Sequence, residues 1–112
     1  MLAKQNRLTT GEQYRSTVRR GRRYIGPHTV TYIRASDSSD ARFGFIVAKT
    51  VGIAVVRNRV RRRLKAASYE LLPAVTPGVD VVVRALPEAS SQPYSVLFDE
   101  VTQSLRKGSV LA

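Results

Sequence analysis

The sequence predicts an α+β domain, a small mixed sheet of about four strands packed with about three helices. Three observations lead there. Segment 28–35 alternates with the two-residue period of strands, 42–49 is apolar on both faces, and Val79–Leu86, rich in valine, reads as a buried strand. Between them Ile53, Val56, Val60, Leu64, Ala67 and Leu71 recur at spacings of 3, 4, 4, 3 and 4, one apolar stripe along a helix. Hydrophobic residues are 43% of 112, which suits one packed domain spanning residues 1–112.

Residues 1–9 read as a basic, extended arm ending in Asn6-Arg7-Leu8. Thr9 and Thr10 are both candidates to cap a first helix, with Glu12 or Gln13 as the capping-box partner. That helix runs to about Arg20 and stops at Gly21; its apolar face is thin, Tyr14 and Val18 with Thr17 beside them. In the strand His28–Ala35, Val30, Tyr32 and Arg34 face one way and Thr31, Ile33 and Ala35 the other. Ser36–Asp40 is a loop. Arg42–Lys49 is apolar on both faces, as a central strand would be. The long helix starts at Ile53, the first residue of its buried stripe, and ends near Leu72, before Pro73. After the strand Val79–Leu86, a last helix begins at Pro93 or Ser95, buries Leu97, Val101 and Leu105, and ends at Lys107 before Gly108. A strand–helix–strand unit of this kind pairs its strands in parallel, and the general rule makes the crossover right-handed.

The formal net charge of +11 is unevenly placed. Residues 1–65 hold 16 Lys+Arg against Glu12, Asp37 and Asp40, a net +13; the remainder carries −2. A one-sided field of this kind implies a polyanionic partner, of which nucleic acid is the commonest. The basic residues are spread over several elements, unlike the single amphipathic helix of a membrane binder. With no cysteine, disulfides, thiolate zinc sites and Cys nucleophiles are excluded. No signal-peptide run and no apolar span of about 18 residues is visible, so the expected location is the cytoplasm.

Residues 57–65 carry six cations and no acid. Measured around the helix from Val60, Arg57, Asn58, Arg61, Arg62 and Lys65 share a broad outer face, with Arg59 and Arg63 on the opposite flank. Solvated helix faces interleave Glu with Lys; this one keeps mutually repelling arginines, whose planar forks suit phosphate oxygens. Asn58 is either a surface residue or a partner for RNA or a neighbouring arginine.

Gly44-Phe45-Ile46-Val47-Ala48-Lys49-Thr50-Val51-Gly52-Ile53-Ala54-Val55-Val56-Arg57-Asn58-Arg59-Val60-Arg61-Arg62 resembles the signature of the bacterial ribonuclease P protein component, and Asn6-Arg7-Leu8 and the element order match it too. The chain departs from that family's pattern at Val18, Thr50, Ile53 and Arg63, where an aromatic, a lysine, a polar and an apolar residue are common. The resemblance implies a fold like ribosomal protein S5 domain 2, with a left-handed crossover against the general rule. It implies the accessory subunit of a ribonucleoprotein that removes the 5′ leader from precursor tRNA, the chemistry belonging to the RNA subunit and its Mg²⁺. Carried over by position, Arg57, Asn58, Arg59, Arg61, Arg62 and Lys65 face the catalytic RNA, Tyr14, Val18 and Tyr32 line a cleft for the leader, and Lys49 extends the basic surface at its rim.

The residue chemistry is compatible. Tyrosines suit a sequence-tolerant strand because any base stacks on a ring, although Tyr14 and Tyr32 also read as core. Tyr24, Tyr69, Tyr94, Phe43, Phe45 and Phe98 read as core. Protein-based cleavage needs an acid/base pair or a carboxylate cluster. His28 has no partner that sequence can place, and Asp37 and Asp40 read as turn formers. No catalytic residue and no metal site in the chain is expected. The alternative is a ribosomal or other structural RNA-binding protein without a processing role; a nucleoid-type DNA binder lacks helix-turn-helix spacing.

Overall fold

The computed structural model describes residues 2–112; Met1, the first residue of the expected arm, lies outside the described residues. The elements are α1 (Gly11–Arg20), β1 (Arg22–Ile25), β2 (Thr29–Ala35), β3 (Arg42–Ile46), α2 (Ala54–Leu71), β4 (Val79–Ala85) and α3 (Tyr94–Lys107). The four strands form one mixed sheet in the order β1-β2-β4-β3. β4 is antiparallel to β2 and parallel to β3, so the unit β3–α2–β4 pairs its strands as the sequence predicts.

The sheet is covered on both faces. On one, Ile33, Phe43, Val81 and Val83 pack against Val60 and Leu64 of α2 and Leu97, Val101 and Leu105 of α3. On the other, Val30, Tyr32 and Val82 pack with Leu8 under Tyr14 and Val18 of α1. Val81, Val82 and Val83 are all fully buried. A strand sandwiched between helix layers needs no polar face, which is why this segment is a continuous valine run. Each such side chain contributes roughly 1.5–3 kcal/mol by leaving water.

α1 begins where Thr10 Oγ1 accepts from the Gln13 amide at 3.2 Å and Gln13 Oε1 accepts from the Thr10 amide at 3.1 Å. Thr10 and Gln13 are thus the capping pair, and the reciprocal bonds satisfy donors a bare helix start leaves open. Two polar contacts fix the rest of the frame. Arg42 on β3 donates to Asp80, its register partner on β4, through Nε at 2.8 Å and Nη2 at 2.9 Å. The Arg42 pKa is raised by this hydrogen-bonded carboxylate. Glu100 of α3 accepts from the His28 amide at 3.0 Å and from the Thr29 hydroxyl, and lies 3.0 Å from His28 Nδ1. The histidine without a placed partner is therefore part of a clamp that ties the β1–β2 turn to α3.

Several expectations are corrected. Residues 2–9 are not a free extended arm. Lys4–Asn6 form one 3-10 turn, Asn6 Nδ2 donates to Ala41 O at 3.0 Å, and the Leu8 amide donates to Phe43 O at 2.9 Å. The segment thus covers the outer edge of β3 and buries Leu2 and Leu8. The edge strand β1 adds a fourth strand that no alternation announced. β3 stops at Ile46, and Lys49–Val51 form a 3-10 turn that buries Val51. Val51 fills the place expected of Ile53, which caps α2 and is 72% exposed. Tyr69 is 52% exposed and does not belong to the core. In the loop 36–40 the serines form the turns, Ser36 Oγ accepting from the Ser38 amide and Ser38 Oγ from the Asp40 amide. Among the described residues, no helix is long and apolar enough to cross a membrane.

Candidate RNA interface

α2 is pinned to the sheet by Val60, Leu64, Ala67 and Leu71, which turns the basic residues outward. Asn58, Arg59, Arg62 and Lys65 are exposed; Arg57 and Arg61 are half-buried. Asn58 Oδ1 accepts from Arg61 Nη1 at 2.8 Å, so of the roles open to Asn58 the structure shows the orientation of a neighbouring arginine. Arg63 turns away and donates to Gln92 O, joining α2 to the loop before α3. Lys49 is exposed on the turn that leads into α2. It extends the α2 surface and does not line the groove described below.

Among the described residues, only Arg15 and Arg42 of the 19 lysines and arginines meet a carboxylate at ion-pair distance. Arg15 is spent on Glu12, whose carboxyl it holds below the usual range. The cations of α2 have no such partner. They also run against the helix dipole: no side chain caps the N-terminus, no acid sits in the first turn, and no base sits in the last. Such an arrangement costs the free protein stability and gains when an anion arrives. Sulfate, compared with chloride at equal ionic strength, is accordingly expected to raise the melting temperature by about 4 °C per kcal/mol of binding linkage, read by differential scanning calorimetry.

On the opposite face, α1 and the sheet border a groove of about 330 Å³ lined by Tyr14, Val18 and Ile46 with Arg15, Arg19 and Arg84. Tyr14 is fixed twice: its hydroxyl accepts from the Phe45 amide at 3.2 Å, and its ring lies on the backbone of Gly44. A Cβ at Gly44 would stand 2.6 Å from the ring. Gly44→Ala is therefore expected to push Tyr14 out of the groove wall and cost about 1–3 kcal/mol, measured by urea denaturation. Tyr32 is corrected: it lies in the packed layer beneath α1 and does not line the groove. It is 6% exposed, and the Arg84 guanidinium lies 5.8 Å from its ring centroid, so no ring face is open for a base.

A second, larger recess of about 610 Å³ lies between α2, α3 and the N-terminal segment. Tyr69 and Tyr94 line it beside Arg62 and Lys65. The Tyr94 hydroxyl donates to Glu70 Oε1 at 2.8 Å, and burial together with this bond pushes the phenol up to about 12. Tyr69, expected in the core, sits about 180° from Val60 at 100° per residue, a signal that places it outward.

A two-faced α+β sandwich with an unpaired arginine face on one helix and a basic, tyrosine-walled groove on the other side is a nucleic-acid-binding protein in construction. Relatives narrow this. The family model for ribonuclease P matches residues 2–108, and the chain belongs to that family. It is 45% identical over 108 residues to the ribonuclease P protein component of Clavibacter michiganensis subsp. michiganensis, covering 96% of each chain. It is 38% identical over 112 residues to that of Kocuria rhizophila, covering all of this chain and 96% of the other. The fold is similar to the RNase P protein of Staphylococcus aureus at a TM-score of 0.86 and 18% identity, over 96% of this chain and 98% of that one. The Thermotoga maritima RNase P protein gives 0.81 and 18%, over 90% and 96%.

Proposed function

We propose that this chain is the RNA-binding subunit of a cytoplasmic ribonuclease P, assisting a catalytic RNA in removing the 5′ leader of precursor tRNA. The observation that carries the reading is the basic surface of α2, where Arg57, Arg61, Arg62 and Lys65 on the outer face and Arg59 on its flank have no carboxylate partner among the described residues. In this reading that face grips the RNA subunit, and the groove walled by Tyr14 and Val18 takes the single-stranded leader. Arg19 and Arg84 hold the leader's phosphates, and the Tyr14 ring offers a stacking surface that tolerates any base.

Mg²⁺ belongs to the RNA subunit in this scheme. Among the described residues no group of three His, Cys, Asp or Glu side chains gathers, and no step is routed through a protein-held ion. The protein's part is to neutralise phosphate and position the strand. Its effect should therefore be largest where Mg²⁺ is too scarce to screen RNA against RNA. Added to a bacterial ribonuclease P RNA at low Mg²⁺, the protein is expected to stimulate precursor tRNA cleavage. RNA binding without stimulation would favour a structural RNA-binding role instead.

A further inference from the structure

The recess between α2, α3 and the N-terminal segment has no part in the scheme above, and its lining is of two kinds. Leu2, Tyr69 and Tyr94 make it apolar, while Arg7, Arg62 and Lys65 edge it with positive charge. Arg62, Lys65 and Tyr69 follow one another at three- and four-residue spacing, so they form one row along the outward face of α2. The cations stand at one end of the row and the half-exposed tyrosine ring at the other. Glu70, the next residue after Tyr69, lies at the same end of the recess and is held by the Tyr94 hydroxyl at 2.8 Å. Neither Arg62, Lys65 nor Arg7 meets a carboxylate at ion-pair distance, so the cations are free for an incoming anion.

We propose that this recess binds one unstacked nucleotide of an RNA strand, the base lying on Tyr69 and the phosphate on Arg62, Lys65 and Arg7. The inference rests on the RNA-binding reading of α2 and adds a base-holding site next to its phosphate-holding face. Charge decides the occupant. An apolar peptide segment would leave three cations desolvated beside it, whereas a nucleotide is apolar on its base faces and anionic at one end, matching the order of the lining. The volume of about 610 Å³ falls in the range of sites for small ligands. Glu70 would repel a phosphate and so belongs at the base end, where a carboxylate accepts from an exocyclic amine. Arg7 and Lys65 also border the neighbouring recess beside Tyr14, so a strand leaving the site has a basic path toward the groove.

The test measures binding of the full chain to two RNAs separately, a ribonuclease P RNA and a precursor tRNA with its leader, as a function of KCl. Tyr69→Ala is expected to weaken one of the two about tenfold with its salt slope unchanged, because a stacking contact is lost and no phosphate contact is. The RNA that is weakened identifies the source of the nucleotide. Tyr69→Phe keeps the ring and is expected to retain wild-type affinity. Tyr69→Ala within twofold of wild type on both RNAs would overturn the site, as would an equal loss in Tyr69→Phe. Arg57→Ala in the same assay separates the two readings. A flatter slope there with a silent Tyr69→Ala removes only the recess, while an unchanged slope in Arg57→Ala removes the α2 interface as well.

Discussion

With Arg57, Arg59 and Arg62 all changed to alanine, the plot of log affinity for RNA against log KCl is expected to lose up to about 2.7 of its slope, about 0.9 for each phosphate contact removed. Between about 50 and 200 mM KCl that makes the variant's loss of affinity roughly 40-fold smaller than the wild type's. The effect is large because these cations have no acid to return to: each releases counterions from the RNA without first breaking an ion pair in the protein. The three side chains project from a helix held by Val60, Leu64 and Ala67, all fully buried, so the fold should survive the substitutions. Relief of like-charge repulsion along α2 should leave the free variant as stable as the wild type or slightly more so. Filter binding across a KCl series and a melting curve check both halves; an unchanged slope would rule out phosphate contacts at these residues.

The second large effect falls on stability. Arg42→Ala is expected to cost about 3 kcal/mol, seen as a lower midpoint in urea with an unchanged slope. The Arg42 side chain is 24% exposed, but Asp80 is only 5% exposed, and without the guanidinium it becomes a buried charge with no partner. Its place makes the cost structural: the pair spans β3 and β4 at their first register position, where the parallel ladder has to be aligned. Replacing both residues with apolar ones is expected to recover much of the loss, since the penalty lies in the orphaned carboxylate more than in the pair. A double variant as unstable as Arg42→Ala would contradict this.

Much of the fold is legible in the sequence because its signals are local. The stripe from Val60 to Leu71, the alternation in β2 and the valine run of β4 each follow from one element's own period or composition and how much of it is covered. The partition of charge, +13 on residues 1–65 and −2 on the rest, is likewise a property of the chain alone. It points to a polyanion before any coordinate is considered, and with the motif around Arg57-Asn58-Arg59 it points to one family. β1 is not legible, since Arg22-Arg23-Tyr24-Ile25 shows no alternation and is a strand only because β2 offers its edge.

The aromatic positions mark the boundary most clearly. Tyr32 reads as either cleft wall or core, and the structure buries it; Tyr69 reads as core, and the structure leaves it half-exposed. Which face of a sheet is sealed depends on where α1, Leu8 and Arg84 come to rest, and which flank of α2 stays open depends on how α3 and the N-terminal segment dock. Those are contacts between residues far apart in the chain; the helical period turns Tyr69 outward but does not say whether another element covers it. The sequence by itself determined every element but the edge strand β1, along with the basic helix and the kind of partner. Only tertiary packing decided which rings a nucleotide can reach, because exposure is settled by what packs on top.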